Sequence, residues 1–414
     1  MTNGSPAPSD PGPSADFVDV RRLMSELSVE ELCETAEQYF ACLTDWTHLL
    51  SKPLASVQEV PHVLTRFSTL LQGLRLGPNM TVLDFGAGPG WGSHYLAQLG
   101  CQVIVLDVSR TALRIANERF QRQPPFGNVP GPRFLVFDGH RIDLPDASVD
   151  RIFCHDAFHH VPNPGAILRE LARVLVSGGI AGFAEPGPDH SRNPISQAEM
   201  RNFKVVENDI RIEEIWKQAQ DVGFTDIRMA AFYTPLYELS LPDFEQFLAG
   251  GDALQGYAQT VRNFMMQHRD FFLFKGPLAL DSRTTEGLRA ELEVRLEPER
   301  HIRTGKSFQV TATIRNTGTA RFRTQEGAVG SVHFGVHLYD ARGRQIAVDY
   351  ARFPLRPGEA ISVDAGESVT LANLIPAPPP GQYTLGLDLV SEAVCWFAPD
   401  KSTEIKIPIE VSPA

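Results

Sequence analysis

Residues Thr81 to Ser93 read TVLDFGAGPGWGS, and the rest of the chain is arranged around them. The apolar, β-branched run Val82-Leu83 ends in Asp84, a glycine-studded loop follows, and a helical pattern continues through Tyr95, Leu96 and Leu99. This order spells strand, tight turn and helix start. Gly86, Gly88 and Gly90 permit backbone angles and close approaches that a Cβ would forbid. A ligand can therefore lie on the main chain at the positive end of the following helix. A dinucleotide site would want G-x-G-x-x-G, but the third position of that pattern is Trp91. What stands here is acid-x-G-x-G-x-G. A carboxylate at Asp84 suits a ligand carrying positive charge and repels a pyrophosphate.

Working outward, four more strands end in polar residues. Gln102–Leu106 is closed by Asp107, about 20 residues beyond the glycines, where a βαβ unit places a carboxylate against ribose hydroxyls. Arg133–Phe137 ends in Asp138-Gly139-His140, and an acid there can accept from an exocyclic amine. Val149–Cys154 ends in His155-Asp156, followed by AFHHVPNP and a helix over 165–175. Gly178-Gly179 turn the chain into Ile180–Ala184, which ends in Glu185-Pro186-Gly187. In a parallel α/β sheet that common edge is the ligand crevice.

Residues from about 75 to 186 resemble a complete class I S-adenosylmethionine-dependent methyltransferase core. They supply DFGAGPG, Asp107, Asp138, LPDASVDRIFCHDAFHHVPNP and RVLVSGGIAGFAEPG. ELCETAEQYF, LSKPLA and EPGPDHS resemble methyltransferases associated with bacterial polysaccharide synthesis. The resemblance implies a doubly wound Rossmann-like sheet and S-adenosyl-L-methionine as cofactor. The cofactor's amino-acid end would lie by Asp84, Gly86, Gly88 and Gly90, its ribose by Asp107 and Val108, and its adenine by Asp138 and Gly139. His155 would complete the wall.

Methyl transfer to a hydroxyl needs a base, and histidine is the natural one near neutral pH. His159 and His160 follow the fourth strand, where acceptors approach in this fold, and Glu185 could orient the base or bind a sugar hydroxyl. His-plus-carboxylate pairs at matching positions serve sugar O-methyltransferases of similar fold. The rival reading is that one ring only packs or caps the next helix; Asp189-His190 is a second choice. The expected reaction is O-methylation of a sugar or glycan-linked small molecule. N-methylation by proximity, or a glycan- or protein-binding module with a cofactor-binding core, remains open. His155, Asp156, His159, Asp189 and His190 could gather, but their spacing fits no metal signature and no metal is expected.

The flanks complete the picture. Residues 1–15 read as a disordered tail. Residues 16–74 form a helical segment, with Ser28 and Glu31 a capping box, that either covers the cofactor or completes the core. Trp46, His48 and Lys52 are its candidate functional residues. The methyltransferase domain runs over 75–277, with an insertion at 234–270 that reads as a substrate cap or, otherwise, a packing element. From about 285 to 414 alternating strands predict an all-β immunoglobulin-like sandwich, with His333 and His337 outward. GQYTLGLDLVSEAVCWF resembles the polysaccharide-recognition domain of O-antigen transporters, which implies polysaccharide or protein contact but assigns no binding residue; the outward His333 and His337, or Trp396, could stack on or hydrogen-bond a sugar.

The bulk numbers agree. At 414 residues, 38 basic against 50 acidic side chains give a net charge of -12, which argues against a broad nucleic-acid surface. Five cysteines without metal spacing and no long apolar run point to a cytoplasmic protein.

Overall fold

The computed structural model describes residues 17–127, 130–232, 235–251, 255–355, 362–398 and 404–413. Its contacts divide the chain into two units: residues up to Leu74, Thr81–Gln98 and Gln102–Gly276 in one, Arg75–Met80, Leu99–Cys101 and the chain from Pro277 in the other. The expected tail lies outside the described residues.

The first unit opens with α1 (Val20–Glu26), α2 (Val29–Ala41), α3 (Thr47–Ser51) and α4 (Val60–Leu74). Then come β1 (Thr81–Phe85), α5 (Trp91–Gln98), β2 (Gln102–Asp107), α6 (Arg110–Arg122), β3 (Arg133–Val136) and β4 (Val149–His155). A 3-10 turn over Phe158–His160 leads to α7 (Pro164–Val174), β5 (Leu175–Pro186), α8 (Pro194–Phe203), α9 (Ile212–Asp221), β6 (Asp226–Met229), α10 (Leu241–Leu248), α11 (Gln255–Met265) and β7 (His268–Phe274). The strands form one sheet in the order β3-β2-β1-β4-β5-β7-β6. β1 to β5 pair in parallel, and β7 runs antiparallel between β5 and β6. This is the doubly wound, Rossmann-like arrangement expected from the sequence, with an antiparallel strand near one edge.

Local chemistry places these elements. Ser28 and Glu31 form the reciprocal capping box that starts α2. Pro164, with no N–H to lose, opens α7. α7 buries Ile167, Leu168, Leu171 and Val174 at helical spacing. At about 1.5–3 kcal/mol per side chain their burial favours docking by roughly 6–12 kcal/mol before entropy is charged. Phe183 of β5 stacks on Phe271 of β7, ring centroids 4.8 Å apart, inside the core shared by the sheet, α7 and α9.

The sheet order reverses at β1, because β2 and β4 flank it. In open α/β sheets ligands bind at such a switch point, outside the carboxyl ends of the strands. The end of β1, the end of β2 and the end of β4 meet there.

The second unit contains β8 (Ala290–Glu297), β9 (His301–Arg303), β10 (Ser307–Asn316), β11 (Val332–Asp340), β12 (Gln345–Pro354), β13 (Ser368–Pro376), β14 (Gly381–Ser391), β15 (Cys395–Trp396) and β16 (Ile405–Ser412). They form a three-stranded sheet, β13-β10-β8, and a sheet of order β12-β11-β14-β16-β9 with β15 on β14. All neighbouring pairs are antiparallel except β16 with β9. Val310, Ala312 and Ile314 of one sheet and Phe334, Val336, Leu385 and Leu387 of the other share one apolar cluster.

His333 and His337 do not stand in solvent as the alternation suggested; they are 8% and 7% exposed. Trp396 folds over β11, 4.2 Å from the His337 ring, and a Cβ on Gly335 would strike its indole at 2.4 Å. The His337 Nδ1 donates to the Val348 carbonyl, and His333 lies 3.2 Å from Glu392. β11 is therefore covered on both faces.

Candidate active site

A cavity of about 400 Å³ opens at the switch point, within the range of small-molecule sites. Its floor is the glycine loop from Phe85 to Pro89 and the ends of β2 and β4, including Asp107, Val108, His155 and Asp156. Gly139 lies on the wall with Phe137.

The three glycines serve different ends. Gly86 has φ +66°, and a Cβ there would lie 2.5 Å from the Ala157 Cβ, so the loop and the end of β4 can meet only without one. Gly90 has φ +70° and lets α5 settle on α6, where a Cβ would meet that of Ala116 at 2.7 Å. Gly88 has φ +51° but faces open space, with only the Phe40 ring at 3.9 Å. Its missing side chain leaves room on the cavity floor.

The acids also divide. Asp107 takes an N–H from Gly88 at 2.7 Å on one oxygen and from Ser109 at 2.8 Å on the other. Burial raises its carboxyl to about 6 against these bonds. Each oxygen keeps a second lone pair for a ligand hydroxyl. Asp84 is off the wall: buried beneath the loop, it accepts from the Ser93 Oγ at 2.5 Å and ties β1 to α5. Burial raises it to about 7.

Asp138 departs from its expected place. It is exposed and absent from the cavity lining; one oxygen accepts from the N–H groups of His140 and Arg141, each at 2.8 Å. Burial works against ionisation, but those two bonds prevail and lower its pKa. An acid followed by Gly-His closes its own turn, and Gly139 takes the wall position instead. Gly139 has φ +83°, and α2 packs against it so tightly that a Cβ would fall 2.5 Å from Val29 and 2.8 Å from the Cys33 sulfur.

The roof is the N-terminal helical segment. Leu32, Cys33, Ala36, Tyr39 and Phe40 of α2, at one-face spacing, line the cavity, as do Lys52, Glu59 and Val63. Glu37 latches α2 to the sheet. Its carboxylate accepts from the Ser109 Oγ and the Thr111 Oγ1, each at 2.6 Å, and from the Thr111 N–H at 3.0 Å. Burial opposes its ionisation, and these bonds outweigh it. The buried guanidinium of Arg119 holds the carbonyls of Leu49, Leu50, Lys52 and Pro89 at 2.6–3.0 Å, fixing the stretch that carries Lys52. None of the described residues in 235–251 or 255–270 lines the cavity. Trp46 and His48 are also off the wall.

His159 and Glu185 do pair, Nδ1 to Oε2 at 2.7 Å, but behind the wall. Glu185 is fully buried and accepts N–H bonds from Ala157, Phe158 and His159 at 3.2, 2.8 and 3.3 Å. It organises the turn that carries the histidines. Burial alone would push the His159 pKa down, but Glu185 raises it, helped by Glu207. His159 braces the turn through Glu185 behind the wall, so of the two adjacent histidines His160 is the one that lines the cavity. His160 is the ring on the wall, 40% exposed. Its Nδ1 lies 2.6 Å from the Val206 carbonyl, which can only accept, so Nδ1 carries the proton and Nε2 keeps its lone pair. Burial and then His159 lower its pKa, so the ring is neutral at pH 7.

Three acids were not singled out as functional from sequence. Glu207 is buried, 2.6 Å from His190 and 3.4 Å from His160. Burial opposes its ionisation, but His190 and the other two rings bring it down to about 2. Glu199 lies on the wall, where burial and then Glu207 raise it to about 7. Glu37 is the third. An acid in the apolar-rich KVVENDI stretch was the only available hint for Glu207. One ligand atom each from His159, His160 and Glu207 also lie within 4.8 Å of one another.

Residues 83–183 match the family model described as "Methyltransferase domain". With the glycine loop, Asp107 and the seven-stranded order in place, that match decides the matter. Residues 83–183 are a methyltransferase domain. A sarcosine/dimethylglycine N-methyltransferase of Halorhodospira halochloris is 36% identical over 138 residues, 33% of this chain and 46% of that protein. A probable S-adenosylmethionine-dependent methyltransferase of Mycobacterium tuberculosis is 28% identical over 171 residues, 38% of this chain and 55% of that protein. A malonyl-[acyl-carrier protein] O-methyltransferase of Laribacter hongkongensis is 31% identical over 184 residues, 43% and 58% respectively. The chain thus spans about half the length of these curated relatives.

The residues of the methyltransferase domain fit the cofactor. Gly88 offers bare main chain, Asp107 offers a doubly accepting carboxylate, and the buried His155 Nε2 on the wall has no hydrogen-bond partner among the described residues. No helix among those residues is long and apolar enough to cross a membrane.

Proposed function

We propose that the chain is an S-adenosylmethionine-dependent methyltransferase that acts on an oxygen of a sugar or glycan-linked small molecule. The observation that carries the choice of oxygen is the neutral His160 on the cavity wall, its Nδ1 proton held by Val206 and its Nε2 lone pair available. Glycines 86 and 88 and Asp107 would hold the cofactor, whose sulfonium supplies an electrophilic methyl group. His160 takes the acceptor's hydroxyl proton at Nε2 as the carbon–oxygen bond forms. The roof of Leu32, Tyr39 and Phe40 excludes water, and Lys52 and Glu199 give the acceptor polar anchors.

A second reading is methylation of an amine nitrogen. The identity to the sarcosine/dimethylglycine N-methyltransferase and the acids Glu59 and Glu199 on the wall favour it. A free amine needs no strong base, so proximity would suffice. The second unit, with its two sheets, we assign to glycan or protein contact.

Screening nucleotide sugars, glycan fragments and small amines for methyl uptake, with product mass read, tests the choice. Under the oxygen reading His160→Ala abolishes turnover at neutral pH while cofactor binding persists. Turnover of an amine by His160→Ala at wild-type rate would replace it with the second reading.

A further inference from the structure

Three consecutive residues after α8 all address the histidine turn. The Val206 carbonyl takes the His160 Nδ1 proton at 2.6 Å, and the Asn208 N–H donates to the His159 carbonyl at 2.9 Å. Between them the Glu207 carboxylate lies among three imidazoles. Its Oε2 is 2.6 Å from His190 Nε2 and 3.9 Å from His159 Nε2, and its Oε1 is 3.4 Å from His160 Nδ1. That Oε1 is buried and accepts from none of the three rings, and the neighbouring Glu199 carboxyl, raised to about 7, is the other group that shares a proton with Glu207. An acceptor buried in this way is costly unless a proton is supplied to it.

We propose that Glu207 is the positioning residue of His160, turning its Nε2 to the cavity and stabilising the imidazolium that forms when the ring takes a proton. The neutral ring spends its Nδ1 proton on Val206. When Nε2 is protonated as well, the positive charge faces a carboxylate 3.4 Å away in surroundings that screen it poorly. His190, held to the other oxygen, competes for the same charge. Among the described residues, His159 and Glu185 from β5 also act on the ring, and Glu199 from α8 and Lys52 share its cavity wall. Among these Glu207 and His190 alone pull His160 in opposite directions through one carboxylate.

The role rests on His160 facing the acceptor, as proposed above, but its test needs no acceptor. The full chain labelled with ¹⁵N-histidine is titrated by long-range proton–nitrogen spectra, with His160→Gln used for assignment. Wild type should show His160 with its proton on Nδ1. Glu207→Gln should lower its midpoint by about one pH unit or more, because an opposing charge is removed. His190→Gln should raise it, because Glu207 then serves His160 with less competition. The opposite signs are something a merely structural role would not produce. Unmoved midpoints, or movement in the same direction in both variants, overturn the proposal; should Glu207→Gln not fold, the sign of the His190→Gln shift decides alone. A midpoint that appears only after chelation, and is lost again on adding Zn²⁺, also overturns it, for then Glu207 with His159 and His160 holds an ion. Binding of S-adenosylhomocysteine is measured on the same samples; its absence in wild type would refute the methyltransferase reading instead.

Discussion

Replacing Glu37 by alanine should loosen the roof over the cofactor. The side chain receives three hydrogen bonds, at 2.6, 2.6 and 3.0 Å, from Ser109 and Thr111. Bonds to a charged group contribute about 1.5–3 kcal/mol each when sheltered. Glu37 is half-buried and its partners regain water, so we discount the sum to about 2–3 kcal/mol. Ser109 keeps its place at the start of α6, where its hydroxyl accepts from the Ala112 N–H at 3.0 Å. The loss therefore falls on the docking of α2, which carries Leu32, Cys33, Ala36, Tyr39 and Phe40 of the wall. If closed α2 is the binding-competent state, 2 kcal/mol corresponds to about 30-fold in cofactor affinity. Calorimetry with S-adenosylmethionine and hydrogen exchange along α2 read both halves of the effect. Unchanged affinity with unchanged α2 protection would refute the latch; faster exchange with unchanged affinity would refute the claim that the roof holds the cofactor.

Three further outcomes follow from the site. Gly88→Ala should fold with a loss of about 1 kcal/mol from its left-handed backbone but bind cofactor weakly, whereas Gly86→Ala should lose about 2–5 kcal/mol by denaturant unfolding, because strain and the Ala157 clash add. His159→Ala should cost about 3 kcal/mol of stability by leaving the buried Glu185 carboxylate without its imidazole partner, while His160→Ala should leave the melting temperature nearly unchanged. Asp107, at about 6 in the cofactor-free chain, must be ionised to accept two ribose hydroxyls, so affinity should hold above pH 6 and fall about tenfold per unit below it. Calorimetric titrations at several pH values check this, and Asp107→Asn should bind weakly with no such slope.

The fold was legible because its signals are local. Val82-Leu83 before Asp84, the run before Asp107, and Ile167, Leu168, Leu171 and Val174 at helical spacing each announce an element, and parallel pairing then leaves few orders. The site was legible in outline only. A carboxylate closing a strand looks the same in sequence whether it lines the cavity, as Asp107 does, or lies off its wall and spends itself on the following turn, as Glu185 and Asp138 do. Two adjacent histidines read as equals, yet a 3-10 turn sends His159 inward and His160 to the wall. The sequence left open whether the N-terminal segment covers the cofactor or completes the core, because that choice depends on long-range docking. Glu37 meeting Thr111 across 74 positions is not visible in any local pattern. β11 misled for a similar reason: alternation marks one covered face, and Trp396, arriving from β15, covers the other.

The most direct measurement is a crystal structure of the chain with S-adenosylhomocysteine bound. The account predicts the molecule beneath α2, its ribose hydroxyls on Asp107, its backbone contact at Gly88 and its sulfur on the side of the cavity that His160 faces. A ligand found elsewhere, or one whose ribose is held by residues other than Asp107, would contradict it.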